Sequence, residues 1–504
     1  MASLSRRRLL GAGAALTAGA AGWLAGGRWL TPGEPGTLLR SQVPPPEPYR
    51  VALPIPPVLR PVRTDATTDH YEITQRVATL SIVPGLTTQA WTYDGTFPGP
   101  TLVARSGRRV VVRHRNELPE PSVVHLHGGH TPADSDGYPM DVVLPTGIGR
   151  HHDHHAYRDV AHGFRDHTYP MAQRAATLWY HDHRHGATGP AVWRGLAGFH
   201  LVHDDEEDAL GLPSGDRDVP LMITDRSFAA DGSFHYPASI HDSHMNGLLG
   251  DVILVNGAPW PVLETVPARY RLRLLNASNA RRYRLALDPP PRGGRGLVQI
   301  GADGGLLARP ARHDTIDIAP AERFDVVVDF ARYRPGTRVR LVNRLGAGAT
   351  AEVMRFDVTS GTGRDESVVP ERLSTIDTLN PGQAVATRTF HFQLRPDRGW
   401  TINGLPYRAG RALARPRLGT TEIWRLISDF HHPVHVHLDP FQVLGRNNGA
   451  PGPYDQGWKD TVDLRPSEAV EIAVRFTGHA GTFMLHCHNL EHEDMAMMAD
   501  FTTE

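Results

Sequence analysis

The chain has 504 residues, with 53 basic and 54 acidic side chains for a formal net charge of −1 at pH 7, and is rich in glycine (50) and proline (42). That balance leaves no electrostatic footprint for nucleic acid, and the length accommodates about three domains of ordinary size. One cysteine excludes an intramolecular disulfide, while 29 histidines stand out of proportion to everything else.

Residues 1–30 read as an export address. Ser5-Arg6-Arg7-Arg8-Leu9-Leu10 is a twin-arginine signature ahead of an Ala/Gly/Leu-rich segment, and Ala18-Gly19-Ala20 offers small residues for cleavage. The segment is too weak in Leu, Ile and Phe for a transmembrane anchor, and no cysteine follows it for lipid attachment. The expectation is a monomer handed folded to the twin-arginine export machinery and released to the periplasm, cell surface or medium, with no stable membrane anchor. No later run of about 18 apolar residues offers a span either.

Proline-dense residues 31–68 predict an extended lead-in lying over a domain surface. Residues 69–210 then show short alternating strands between Gly/Pro turns, as in Arg108–His114 and Ser122–His127, with a strong break at Asp94-Gly95-Thr96-Phe97-Pro98-Gly99-Pro100. Residues 215–360 repeat that pattern in Tyr270–Leu275 and Phe324–Phe330, with only scattered histidines. A linker over 361–386 leads to a third such region, 387–504, with Glu422–Ile427 as a strand and a return to dense histidine. This is the grammar of an all-β sandwich or barrel chain.

The last region holds the stretch that organises the rest, Phe483 to Met497. Cys487 sits between His486 and His488, with His492 five residues on and Met497 ten residues on. Two imidazoles, one thiolate and a weak axial thioether describe a blue-copper site. On a strand, Cys487 points to one face and its two neighbours to the other, so the cysteine can serve one metal while the histidines serve others. Three further pairs have the same spacing on strand-like segments: His125-Leu126-His127, His181-Asp182-His183 and His435-Val436-His437. Each pair presents two imidazoles on one face. Together with His486 and His488 they supply eight nitrogen ligands, enough for two three-coordinate metals and one two-coordinate metal. His432 remains to complete the thiolate site, giving four coppers on twelve protein ligands.

Those residues carry a resemblance. His125-Leu126-His127-Gly128, Trp179-Tyr180-His181-Asp182-His183, His432-Pro433-Val434-His435-Val436-His437 and His486-Cys487-His488 through His492 to Met497 are similar to the copper motifs of the three-domain multicopper oxidases. The branch most resembled is that of bacterial spore-coat laccase, bilirubin oxidase and phenoxazinone synthase. The similarity extends through Asp94–Thr101, Gly128–Tyr138, Val255–Trp260 and Gly457-Trp458-Lys459-Asp460. It implies three cupredoxin-like Greek-key β-barrel domains holding one type 1, one type 2 and two type 3 coppers. It also implies His125 and His435 on type 2, His127, His181 and His488 on one type 3, and His183, His437 and His486 on the other. Glu493 and Asp136 are the implied proton carriers. The implied activity is one-electron oxidation of phenolic or aminophenolic molecules coupled to four-electron reduction of dioxygen to water. Electrons are expected to enter at an exposed edge of His432 and to cross from Cys487 to His486 or His488.

Other histidines read as bland. The cluster His151-His152-Asp153-His154-His155, with His162 and His167, lies in a polar stretch and predicts a solvated loop; His185, His241, His244 and His431 are surface or supporting residues, and Met484, Met495 and Met498 are packing. Two other functions compete: a cuprous oxidase of copper tolerance, disfavoured by the lack of a Met-rich segment, and a non-catalytic exported scaffold, disfavoured by retention of all twelve ligand positions.

Overall fold

Alternation of apolar and polar residues becomes alternation of burial. Thr421–Ser428 switches between half-buried and buried at every residue, and Arg109–Asn116 does the same from its second residue onward, as strands with one face on a core require. The structure, a computed structural model, describes residues 35–147, 157–238, 246–361 and 364–504. Strands account for 47% of it and helices for 6%. The predicted export address, the His151–His155 cluster, His241 and His244 lie outside the described residues.

The larger sheets come in three pairs along the chain. In the first region a sheet containing Thr68–Leu80, Thr88–Tyr93, Arg109–Asn116 and Phe164–Tyr169 packs on the four strands Gly99–Arg105, Ala197–His203, Ala176–Asp182 and Val124–His127. Tyr71, Ile73, Val112, Leu126, Leu178 and Val202 fill the space between them. The middle region joins a seven-stranded sheet, including Arg269–Asn276 and Arg323–Asp329, to a five-stranded one through an apolar core of which Leu272, Phe324, Leu285 and Phe356 are members. In the last region Thr421–Ser428 belongs to one five-stranded sheet, and His432–Val436, Gly481–Cys487 and Met498–Thr503 belong to the other. Trp424, Phe476 and Phe501 meet between them, with ring centroids 5.3 to 5.5 Å apart.

The proline-rich lead-in spans two regions rather than one surface. Thr37–Leu38 pairs in parallel with Leu248–Leu249, Ala52 bridges to Val262 in the middle region, and Val58 bridges to Thr101 in the first.

The histidine pairs fall where two strand pairs approach each other. Val124–His127 lies antiparallel to Ala176–Asp182, with His125 opposite His181. His432–Val436 lies antiparallel to Gly481–Cys487, with His435 opposite His486 and Val434 opposite Cys487. The short helix Leu490–Asp494 follows Cys487, and another, Thr188–Trp193, follows His183. Asp494 ties them together by accepting from the backbone N–H groups of Thr188 and Gly189, each at 2.8 Å.

One sequence reading is corrected here. His162 and His167 are not in a solvated loop: His162 ends the strand Asp159–His162, which pairs with Asp141–Leu144, and His167 is buried on Phe164–Tyr169. The alternation there was hidden because a histidine takes an inward position, its ring edge-on to the buried ring of His114 at 5.2 Å.

Candidate metal centre

Cys487 is fully buried, and its Sγ lies 3.5 Å from His432 Nδ1 and 3.6 Å from His492 Nδ1. The two nitrogens are 3.1 Å apart. The centre of such a triangle is about 2 Å from each corner, within the range of metal bonds to imidazole. Burial pushes the Cys487 thiol well up, so a cation in the triangle is what would hold it as thiolate. Met497 is fully buried beside this group, its backbone N–H donating to the His492 carbonyl at 2.9 Å and its carbonyl accepting from Cys487 at 3.1 Å. Met484 and Met498 pack instead with Tyr138.

The expected exposed edge of His432 is absent. The ring is fully buried, its Nε2 donates to Asp429 at 2.9 Å, and Phe392 and Trp400 lie 6.2 and 5.4 Å away between centroids. Strand spacing could not reveal this cover, because Trp400 and Phe392 come from other strands of the same region. Trp400 also lies against His492 at 3.8 Å.

The eight histidines of the four pairs converge. His127 stacks on His435 at 3.7 Å and His125 on His437 at 4.0 Å between centroids, so rings of the first region face rings of the last. Three triads have ligand atoms within 4.8 Å of one another: His125, His127 and His435; His127, His181 and His488; and His183, His437 and His486. All eight are buried, and burial lowers the pKa of His125, His127, His181, His435, His437 and His488 well below the ordinary histidine value. These six are therefore neutral, the form that ligates metal.

Hydrogen bonding supplies an independent test of whether a metal fits. One ring nitrogen of each anchored histidine is satisfied: His125 Nδ1 by the Asp136 carbonyl at 2.5 Å, His181 Nδ1 by the Asp182 carbonyl at 2.8 Å, and His435 Nδ1 by the Asp460 carbonyl at 2.8 Å. Carboxylates take His437 Nδ1 (Asp136, 2.7 Å), His183 Nδ1 (Glu493, 2.9 Å) and His486 Nδ1 (Glu493, 3.1 Å). The opposite nitrogens, Nε2 of His125, His181, His183 and His435 and Nδ1 of His127, are buried and meet no protein partner. Buried polar atoms left unpaired cost about 1–3 kcal/mol each, and a set of them aimed at one another fits metal ions.

Glu493 and Asp136 thus both hold imidazoles by Nδ1, but in different electrostatic states. Burial alone would raise Glu493, yet the His486 and His183 rings hold it well below the usual carboxylate range, and Thr188 Oγ1 donates to it at 2.6 Å. Burial pushes Asp136 well above that range. The sequence reading missed Asp429, Thr188 and the roles of Asp460 and Arg323. Only Asp460 had a signal, as part of the Gly457–Asp460 motif.

A cavity of about 340 Å³ is lined both by His125, His435 and His437 and by the exposed Asp377–Arg475 ion pair. Of the bland histidines, His185 is half-buried against Tyr407 at 5.1 Å, and His431 is partly buried.

Comparison with known proteins agrees with this geometry. Two family models, both described as multicopper oxidase, match residues 75–207 and 375–504. A laccase of Bacillus subtilis (strain 168) is 37% identical over 89% of this chain and 96% of its own. A bilirubin oxidase of Albifimbria verrucaria is 36% identical, covering 90% and 81%. The crystal structure of a laccase from Pediococcus acidilactici Pa5930 superposes with a TM-score of 0.81 at 33% identity, covering 92% of this chain and 96% of that one. The chain belongs to the multicopper oxidases, with their all-β cupredoxin-like fold, and is a copper-dependent oxidoreductase that couples oxidation of a reductant to reduction of oxygen.

Proposed function

We propose that the chain is an exported laccase-like oxidase that takes electrons singly from phenolic or aminophenolic molecules and reduces dioxygen to water with four coppers per chain. His432, Cys487, His492 and Met497 hold the type 1 copper, and His125 and His435 the type 2 copper. His127, His181 and His488 hold one type 3 copper, and His183, His437 and His486 the other. The observation that carries this reading is the juxtaposition of a thiolate triangle and an eight-histidine cluster on the two faces of one strand end, His486-Cys487-His488. Three cupredoxin domains, 69–210, 215–360 and 387–504, frame the centre, and the twin-arginine sequence at Ser5–Leu10 supports export. Among the described residues no helix is long and apolar enough to cross a membrane.

Copper, when bound, supplies the one-electron storage and the oxygen-reducing chemistry. The protein supplies connection, orientation and protons. Cys487 is joined by one peptide unit to His486 and by another to His488, so the two clusters share a covalent path. Asp429, half-exposed and bonded to His432, is the polar group through which that cluster meets the outside, and its carboxylate suits a phenol O–H or a protonated amine. Glu493 and Asp136 orient the rings they hold and act as proton carriers toward the histidine cluster. The cavity touching His125, His435 and His437 serves dioxygen entry and water exit.

Oxygen uptake by copper-loaded protein with a panel of phenols, aminophenols, bilirubin and Cu(I) tests the reading. The expected result is a blue protein with four coppers per chain and fastest turnover on a phenol or aminophenol. Turnover confined to Cu(I) would replace the organic substrate with the metal ion.

A further inference from the structure

The Gly457-Trp458-Lys459-Asp460 motif contains no candidate ligand, yet its last residue lies against the histidine cluster. Asp460 precedes the strand Thr461–Leu464, whose Thr461 is paired with His435. Its backbone carbonyl accepts from His435 Nδ1 at 2.8 Å, and its side-chain Oδ1 accepts from His127 Nε2 at 3.1 Å. The carboxylate is gripped from the middle region. Arg323, fully buried at the start of Arg323–Asp329, donates to Oδ1 at 2.8 Å and to Oδ2 at 2.5 Å, the two-pronged geometry suited to guanidinium and carboxylate.

The grip is itself supported. Asp303 accepts from the Arg323 backbone N–H at 2.7 Å and pairs with the buried Lys459 ammonium at 3.0 Å. Gly128, directly after His127, has φ +84°, and a Cβ there would meet Arg323 Nη2 at 2.7 Å and Asp460 Oδ2 at 2.8 Å. The ion pair is therefore packed hard against the backbone that carries His127. That histidine also departs from its neighbours: its Nε2 is anchored and its Nδ1 is free, whereas His125, His181, His183 and His435 anchor Nδ1 and leave Nε2 free.

We infer that Asp460, clamped by Arg323, is a positioning residue that fixes His127 in the Nε2–H tautomer and so presents Nδ1 to the cluster. The middle region, which holds none of the candidate ligands, thereby sets the geometry of a centre built by the other two. A carboxylate accepting from a ligating imidazole fixes ring orientation and raises ligand basicity, and Arg323 makes the buried charge tolerable. The inference rests on the assignment of His127 and His435 as copper ligands.

The test uses full-length Asp460→Ala, Asp460→Asn, Arg323→Lys, Arg323→Gln and His127→Ala, each loaded with Cu(II). Copper per chain, the type 2 electron paramagnetic resonance signal and the visible thiolate band are read on every variant. Asp460→Ala should weaken copper binding at the histidine cluster by about 10–100-fold and alter the type 2 signal, while the thiolate band keeps its wild-type strength. Asp460→Asn, which retains an acceptor for His127 but not the charge, should fall between, and Arg323→Lys should retain more cluster copper than Arg323→Gln. Wild-type copper content with an unchanged type 2 signal in Asp460→Ala overturns the inference. Where that variant does not fold by circular dichroism, the same result in Asp460→Asn does so. Full copper retention in His127→Ala refutes the ligand assignment itself, whereas loss there with retention in Asp460→Ala refutes only the clamp.

Discussion

The thiolate triangle and the histidine cluster share a strand end but are built in different ways. His432, Cys487, His492 and Met497 all come from one region, and the carboxylate that touches the triangle, Asp429, is half-exposed. The histidine cluster takes rings from two regions and is held by buried Asp136, Glu493 and Asp460. A site made within one region depends on local spacing. A site made between regions depends on whatever sets how they meet, so its supporting carboxylates are deep and its failures are separable from those of its neighbour.

Cys487→Ser should break the comparison most completely. It removes the only thiolate, so the visible band and turnover with organic reductants should vanish, while copper at the histidine cluster stays. Metal analysis beside the absorption spectrum checks this; loss of all copper would mean that the two sites do not form independently.

Glu493→Gln should do the reverse. Gln keeps the size and one acceptor but not the charge that receives two Nδ1–H groups. Bleaching of the blue band by reductant should be unchanged, and its recovery under dioxygen should slow by about 10²–10⁴-fold, the usual contribution of a positioned acid or base. Stopped-flow absorption times both halves. Recovery at the wild-type rate would make Glu493 solely a holder of rings.

Glu207→Gln should touch neither spectrum and act on stability alone. Glu207 joins the first region to the middle one through Arg271, at 2.5 Å, and is also held by His203 of its own region, at 2.6 Å. Burial opposes its charge, but His203, Arg271 and Arg273 outweigh this and hold its carboxyl well below the ordinary glutamate value of 4.5. A depressed folded value means that its stabilisation is complete above pH 4.5 and is lost as pH falls through the folded value. The variant should be less stable at neutral pH by about 3–5 kcal/mol, the cost of breaking a buried pair, and the gap should close in acid. Denaturant unfolding at several pH values measures it; a gap independent of pH would mean that the loss is one of packing.

Met497→Leu should have the smallest effect. With Met497 as the proposed weak thioether ligand, Leu would put an alkyl chain of similar size in its place, so the blue colour should stay and the reduction potential of that copper should rise. Redox titration of the visible band reads the shift, and loss of the blue copper would show that Met497 is needed to hold it.

The all-β class and the four histidine pairs were legible because strands impose a period of two, and His-x-His at that period puts both rings on one face whatever lies around it. The Cys487–Met497 spacings were legible for a related reason: one strand end and one short helix set them. Burial of His432 was not legible, since Trp400 and Phe392 reach it only through sheet pairing and packing. Nor was the inward turn of His167, where a polar residue takes an apolar position.

By itself, the sequence determined which side chains are available, on which faces, and that one thiol and eight paired imidazoles suit copper. Tertiary structure alone decided which nitrogen each imidazole offers, along with the part played by the middle region. Those depend on how sheets from distant parts of the chain are held together, through contacts such as Arg323 to Asp460 across 137 residues, and no local period encodes such a separation.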